Sequence, residues 1–587
     1  MMQTGDMRNF QHYILTQTSL GVGEQIYGLG ERFGALNKVG QSVVLWNADG
    51  GTSSDQAYKN VSFWLSNKGY GIFIDTPQRV ELEIGSERSC RVQTSIEGQR
   101  LKWYIIYGTY AAATALYITS MLDQRLSGPT PKDVLSRYTT LTGKSNCLPA
   151  WSFGLRLTTS FTTEYDENTI NGFLEGMRDR DIPFAVFHYD AFWMRPFHWC
   201  DFEFMASHFP DPKAQIKRLK ESGLVSKISV WINTYIGQAS PVFQEAADKG
   251  YLLKRKNGDV LKWDLWQAGM GIVDFTNPDA CKWFRSKLDA LFDIGVDTIK
   301  TDFGERIPTK DVQWFDNNVD AERTHNHYAF IYNKPVYEAL QERYGKDGAV
   351  VFARAACAGT QRFPLQWGGD CESTFEAMAE SLRGGLSLGL CGYSFWSVDI
   401  GGFEGYPDPT VYKRWLKCRL MPYLYSESLE AVKNGWPLSV RAMSLEFPED
   451  RTAWYCDQQF MLGSKILVAP VFDESGEVEF YLPSGRWSSF RDASRTIDGP
   501  KWVTEKHNFE TLPLDIREGT ILVLGKEGGK RTNYDWTKPE DHEVRIYEPD
   551  GESSFPLCDP EGKLFAILKT TEDHGTWRVD VIEVRMR

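Results

Sequence analysis

At 587 residues the chain is too long for one hydrophobic core, and three or four domains are expected. It is 42% hydrophobic and 24% charged, as globular proteins are, and its net charge of −13 argues against nucleic acid or an anionic membrane surface as a partner. No apolar run is long enough to span a bilayer, the start Met1-Met2-Gln3-Thr4-Gly5-Asp6 reads as no secretory signal, and the ten cysteines form no C-x-x-C pair, so a cytoplasmic chain with no metal site is expected.

In chain order, residues 1 to about 108 read as all-β. The runs 70–74 and 80–84 alternate apolar and polar residues between Gly and Asn turns. The stretch 110–118 reads as a helix or an ill-fitting insertion, and 132–141 has helical periodicity. From Trp151 short apolar strands alternate with charged helical segments such as 167–180 and 212–222. Candidate strands lie at 153–158, 184–189, 227–233, 298–302, 350–354, 365–369 and 392–399. Strand, helix, strand in repetition means parallel β-structure with crossover helices. Asp190, Asp302, Arg354, Asp370 and Asp399 gather at the C-terminal ends of those strands, the face on which a (β/α)8 barrel does its chemistry. Beyond about Glu427 the pattern returns to β, with runs at 460–462, 465–469, 478–482 and 502–523 and a further module towards 544–547 and 577–584. No internal repeat and no low-complexity segment is present.

Two stretches carry the chemistry. The strand 298–302 ends in Asp302, before Phe303-Gly304. Lys300, two residues back, shares its face of the strand. An ammonium there would keep the carboxylate ionised and nucleophilic, although a structural ion pair at a barrel mouth has the same pattern. Asp370 follows Trp367-Gly368-Gly369. Glycines let backbone approach a ligand, and a Trp beside a carboxyl desolvates it, raising its pKa towards that of a proton donor; a Gly-Gly turn capped by Asp is the alternative. Arg354 ends an apolar run and, if buried, needs anionic or hydroxyl partners. Two carboxylates facing one pocket are the minimum for hydrolysing a glycosidic bond. High aromatic content (14%, with 20 Trp and 26 Tyr) suits sugar stacking and aromatic β-cores equally. There is no Walker motif and no G-x-S-x-G elbow. His325-x-His327 has no third ligand near it in sequence and reads as a surface or helix-start feature.

These residues sit in motifs that resemble glycoside hydrolase family 31, in its α-xylosidase branch. Matching stretches run in order along the chain: 27–33 (YGLGERF), 46–60 (WNADGGTSSDQAYKN), 151–163 (WSFGLRLTTSFTT), 187–201 (FHYDAFWMRPFHWCD), 231–238 (WINTYIGQ), 300–308 (KTDFGERIP), 352–354, 367–370 and 396–403 (WSVDIGGF). The resemblance implies a retaining exo-α-glycosidase of the α/β class: a (β/α)8 TIM barrel at 128–426 behind an N-terminal β-sandwich at 1–127, with C-terminal β-domains at 427–510 and 511–587. It implies that Asp302 is the nucleophile and Asp370 the general acid/base, and that Asp190 binds the hydroxyls of the sugar in the −1 site. Arg354 and Lys300 would be polar partners of that sugar, and Trp231, Trp367 and Phe403 its apolar walls. Phe161 and Phe192 would crowd the space of a hydroxymethyl and favour xylose, while Asp49 would reach the leaving-group side. The implied partner is a small oligosaccharide, with no cofactor; a homo-oligomer stays open. An α-glucosidase, a transglycosylase and an inactive sugar-binding protein are the competing readings.

The chain also departs from the family pattern. Only seven barrel strands are recognisable, because 403–422 is too short for the crossover helix and strand of an eighth unit, and no active-site His carries over from that segment. A gapped barrel is therefore expected, with unpaired edges and weak or absent activity. Residues 109–127 and the pair Val225-Ser226 have no counterpart in the family, and the start enters partway into the first sandwich. Ala191, Arg156 and Val398 stand where Cys, Trp and His are usual. Extra and missing segments beside intact motifs point to a gene-model or splicing artefact, which sequencing the transcript would test.

Overall fold

The computed structural model describes residues 12–52, 54–107, 130–160, 162–180, 182, 184–406, 409, 420–438, 440–525, 542–549, 553–573 and 576–584. The segments expected at 109–127 and 110–118 lie outside them, as does Phe161.

The N-terminal strands are β1 (Tyr13–Ser19), β2 (Ile26–Gly30), β3 (Gln41–Leu45), β4 (Asn60–Ser66), β5 (Tyr70–Ile74), β6 (Val80–Ile84), β7 (Arg91–Glu97) and β8 (Trp103–Tyr107). They form two antiparallel four-stranded sheets, β1-β7-β6-β3 and β2-β4-β5-β8, packed face to face over Val43, Leu82, Ile84, Trp64 and Ile72. The first sheet has one wet face, so β6 and β7 alternate buried and half-buried residues. The second is covered on both faces, and β4 (NVSFWLS) is buried throughout. Its outer face packs Val61, Phe63 and Leu65 on Val134, Leu135 and Tyr138 of the helix Pro131–Thr142 and on Leu382 and Leu386 of the helix Phe375–Gly389. This sheet is therefore the surface that fixes the sandwich to the catalytic body.

The seven expected parallel strands all form: β9 (Arg156–Leu157), β10 (Val186–Tyr189), β11 (Lys227–Ile232), β15 (Thr298–Thr301), β16 (Val351–Ala353), β17 (Gln366–Trp367) and β18 (Trp396–Ser397). Between β11 and β15 lies a small antiparallel sheet of β12 (Tyr235–Ile236), β13 (Lys262–Trp263) and β14 (Met270–Ile272). The parallel sheet runs β9-β10-β11-β15-β16-β17-β18. Among the described residues β9 and β18 are its two edges, so the circuit is open where the short segment 403–422 predicts a gap. Crossover helices follow the sequence signals: Asp166 caps Glu167–Asp179 through the backbone N–H groups of Asn168 and Thr169, and Thr374 caps Phe375–Gly389 through that of Ala377.

Arg156, on the edge strand β9, stands where the family pattern has Trp. Its guanidinium lies 5.0 Å from the Phe352 ring and 6.0 Å from Trp151, and neither terminal nitrogen has a hydrogen-bond partner. Burial pulls its pKa down to about 10. Arg156→Trp is therefore expected to raise stability by about 1–3 kcal/mol, the cost of a buried polar group left unpaired. Thermal and denaturant unfolding check this, and a lower melting point would refute it.

After β18 the β-texture expected from about 427 is delayed by the helix Met421–Asn434. A six-stranded antiparallel sheet follows, with strands Arg441–Ala442, Phe460–Leu462, Ile466–Val468, Glu477–Ser489, Thr496–Lys506 and Leu514–Arg517. Its last strand lies beyond the boundary expected at 510. The pair Thr520–Gly525 and His542–Tyr547 and the three strands Ser554–Cys558, Leu564–Asp573 and Thr576–Val584 complete the chain. No helix among the described residues is long and apolar enough to cross a membrane.

Candidate active site

The carboxyl ends of β15, β16 and β17 and a loop of the N-terminal sandwich converge on one guanidinium. Arg354, one residue beyond β16, is buried. Its Nη1 lies 2.9 Å from Asp370 Oδ2 and 3.3 Å from Asp302 Oδ1, and its Nη2 lies 2.6 Å from Asp49 Oδ1 and 3.0 Å from Glu305 Oε1. Tyr58 and Phe303 pack on the guanidinium with ring centres 4.3 and 4.8 Å away. Burial alone would lower its pKa, but Glu305, Asp370 and Asp302 raise it well above the ordinary value, so it stays cationic. Because Asp302 and Asp370 share one nitrogen, those two oxygens are no farther apart than the sum of two short contacts. That sum falls below the roughly 6.5–9.5 Å separation of an inverting carboxylate pair.

Asp302 follows β15 directly. Trp231 Nε1 donates to its Oδ2 at 2.7 Å, and the Phe303 backbone N–H donates to its Oδ1 at 2.8 Å. The sequence reading gave Lys300 the task of keeping Asp302 ionised. Its Nζ pairs instead with Asp190 Oδ2 at 3.1 Å and sits 3.9 Å from the centre of the Trp367 ring, so the cation in contact with Asp302 is Arg354. Burial would lower the Lys300 pKa, yet Asp190, Asp302, Asp399 and Asp370 together hold it above the ordinary value.

Asp190 caps the end of β10. Burial would raise its pKa, but Lys300 and the His188 imidazole, whose Nε2 is 3.3 Å away, hold its carboxyl well below the usual range. Asp370 behaves oppositely. Burial, helped by Asp302, raises it to about 6 against the pull of Arg354. Trp367 does not hydrogen-bond to Asp370: its indole N–H donates to Asp399 Oδ2 at 3.1 Å. The glycines before Asp370 let neighbouring side chains of the protein come close. Gly369 has φ 82°, and a Cβ there would come within 2.2 Å of the Tyr58 ring.

Asp49 arrives from the N-terminal sandwich. Asn47 fixes its loop, accepting at Oδ1 from the Asn60 N–H and donating from Nδ2 to Ala356 O at 3.1 Å. Arg306 also pairs with Asp49. His325 locks the same loop. Against the surface reading it is buried, stacked on Trp46 at 3.6 Å and hydrogen-bonded to the carbonyls of Ile307 and Asn47; it stands near the start of the helix Ala321–Tyr344, as expected. Phe192 is half-buried with its ring 5.6 Å from Trp199, and Phe403 lies 6.4 Å from Trp367.

The profile of the glycosyl hydrolases family 31 TIM-barrel domain matches residues 145–426; those of the family's N-terminal galactose mutarotase-like domain and C-terminal domain match 2–83 and 435–522. An alpha-xylosidase of Emericella nidulans is 46% identical over 97% of this chain and 76% of its own length. The chain belongs to glycoside hydrolase family 31. The alpha-xylosidase XylQ of Lactiplantibacillus pentosus, a second family 31 relative, is 44% identical over 96% of this chain and 76% of its own length. Among solved structures, a family 31 dextranase of Flavobacterium johnsoniae in complex with glucose superposes with a TM-score of 0.84 at 24% identity, covering 97% of this chain and 76% of that one. That likeness bears on the family 31 fold.

Four residues outside the predicted set join the family 31 site. Glu305, fully buried, is the fourth carboxylate on Arg354, an ion pair whose geometry leaves both Glu305 oxygens without a hydrogen bond. Burial raises its pKa to about 7 against the pull of Arg354. Asp399 is likewise raised by burial to about 7, against Lys300. Asp399 was visible as a polar strand end, and Glu305 lies inside the KTDFGERIP motif. Trp199 and Trp266 build the wall behind Trp231, with ring centres 6.2 and 5.8 Å from it. Trp266 sits in an irregular segment whose sequence has no periodicity to expose it.

Proposed function

We propose that the chain is a retaining exo-α-glycosidase that removes terminal α-D-xylosyl residues from oligosaccharides, with Asp302 as nucleophile and Asp370 as acid/base. The observation that carries this reading is the pair of carboxylates held on one Arg354 nitrogen, their facing oxygens nearer than the roughly 6.5–9.5 Å of an inverting pair. Asp302 attacks the anomeric carbon as Asp370 gives its proton to the leaving oxygen. Asp370 then takes a proton from the water that releases the sugar. Asp190, kept anionic by Lys300, accepts hydrogen bonds from the hydroxyls of the −1 sugar. Lys300 and Arg354 act around the same sugar, and Trp231, Trp367 and Phe403 wall it. Phe192 takes the space of a hydroxymethyl, and Asp49 meets the leaving group. The two relatives named alpha-xylosidase support the choice of sugar over glucose. Comparing aryl α-xyloside with aryl α-glucoside tests it: a kcat/KM favouring glucoside would overturn the xylose assignment.

Because Asp370 must be protonated in the first step and its pKa is raised to about 6, kcat/KM is expected to fall as pH rises through that value, approaching tenfold per unit. A profile flat from pH 5 to 8 would contradict this assignment.

Among the described residues the parallel sheet stays open at seven strands, which favours a second reading, a sugar-binding protein without turnover; purified protein inert on both aryl glycosides would select it. We propose the divisions 1–127, 128–426, 427–510 and 511–587, supported by the two N-terminal sheets and the parallel sheet, with the third boundary moved past Arg517 because Leu514–Arg517 pairs with Ile466–Val468. A cytoplasmic setting accords with nine cysteines outside any disulfide among the described residues.

A further inference from the structure

A cleft of about 490 Å³ opens beside the catalytic pocket, lined by Phe197, Gln238, Ala239, Gln267 and Met270 among others. None of its lining side chains is ionisable, and two are primary amides. Phe197 is 68% exposed and has φ 65°, a left-handed conformation that bulky residues seldom adopt. Its loop is not loose. The Gly237 N–H donates to the Trp199 carbonyl, and a Cβ on Gly237 would come within 2.7 Å of the Phe197 carbonyl oxygen. The chain is thus pinned from beneath while the aromatic ring is held out to solvent.

The opposite wall is also built. The Gly269 N–H donates to Asp264 Oδ1 at 2.7 Å, and Arg306, which pairs with Asp49, donates to the Leu265 carbonyl at 2.5 Å. One residue before Gln267, Trp266 packs against Trp231 and Phe303 with ring centres 5.8 and 4.9 Å away. Gln267 Oε1 accepts from Trp199 Nε1 at 2.8 Å. Cleft and pocket therefore share one wall, and a ligand leaving the pocket on the Asp49 side meets the cleft next.

We infer that this cleft is a distal leaving-group subsite for a neutral, unbranched stretch of an oligosaccharide, with Phe197 as the stacking platform and the Gln238 amide bonding to sugar hydroxyls. The inference rests on the exo-glycosidase reading of the adjoining pocket. A pyranose has one flat C–H face, which suits an exposed aromatic ring, and vicinal hydroxyls suit an amide that both donates and accepts. The absence of charge in the lining disfavours an anionic sugar. Binding energy from this remote part of the substrate is shared by ground state and transition state and appears in kcat/KM for long substrates only.

The test is Phe197→Ala, with Gln238→Ala as a second variant, assayed on an aryl α-xyloside and on a xylosylated β-glucan oligosaccharide. Phe197→Ala is expected to lower kcat/KM for the oligosaccharide about tenfold, mainly through KM, while aryl α-xyloside turnover stays unchanged. Equal effects on both substrates, or none on either, would overturn the subsite. If the unaltered protein hydrolyses no xyloside, the functional reading fails, and calorimetric titration with an unbranched β-glucan tetrasaccharide decides the cleft by itself. Binding weakened about fivefold or more in Phe197→Ala upholds it; equal affinities, or no binding to either protein, refute it.

Discussion

Asp302→Ala is expected to lower kcat on an aryl α-xyloside by about 10⁴-fold or more, since removing a nucleophile abolishes the covalent route and leaves only binding and electrostatic contributions. The fold should survive, because Arg354 keeps three other carboxylates. The complementary experiment uses Asp370→Ala. With an aryl leaving group that needs little protonation, the first step still runs, but the second lacks its base. A pentosyl adduct should then accumulate, and mass spectrometry should find it on Asp302. Retention follows from that intermediate, and it agrees with the short separation imposed by the shared Arg354 nitrogen. An adduct on another residue, or an Asp302→Ala protein with near-normal turnover, would end this assignment.

Arg354→Leu should be at least as damaging, through the fold as well as the chemistry. The substitution strands Asp302, Asp370, Asp49 and Glu305 around an uncharged side chain. Removing one partner of a buried ion pair costs about 3–5 kcal/mol, and here one cation serves four anions. The loss has a predictable pH dependence. Without Arg354 the folded-state pKa values of Asp370 and Glu305, already raised to about 6 and about 7, rise further. A carboxyl whose folded pKa lies above its unfolded value contributes stability below the unfolded pKa and loses it as pH rises through the folded one. The stability deficit of the variant should therefore shrink as pH falls from above 7 towards 4. Urea unfolding at several pH values reads this directly; a deficit independent of pH would mean that the guanidinium acts by packing alone. Arg354→Lys should not restore activity, because a single ammonium cannot present two nitrogens to separate pairs of carboxylates.

The local sequence specifies the elements well where one physical constraint acts. The strand 298–302 is β-branched at three of its five positions, ends in an acid and is followed by Phe-Gly; it forms a buried parallel strand with Asp302 at its carboxyl end. Helices with an Asp or Thr cap and amphipathic spacing appear within a residue or two of their expected limits, as at Glu167–Asp179 and Pro131–Thr142. Even the irregularity was legible, since counting residues between Phe403 and Pro422 is enough to predict an interrupted barrel.

The partnerships were not legible in this way. Lys300 and Asp302 share a face of one strand, but Lys300 pairs with Asp190, which lies two strands away across β11. His325, read as a surface or helix-start feature, does stand near a helix start but is buried because a loop of the sandwich folds over it. Trp367 precedes Asp370 by three residues, yet its N–H serves Asp399.

By itself the sequence determined the seven parallel strands, the capped helices that cross between them and the two acids at strand ends. Those depend on alternation, capping and chain length, which neighbouring residues settle among themselves. Only the tertiary structure decided which charge answers which. In a buried site the proximity of charges depends on sheet order and on a loop lent by another domain. Arg354 gathers Asp49 from about three hundred positions away in the chain, and it is this gathering that places the two acids side by side.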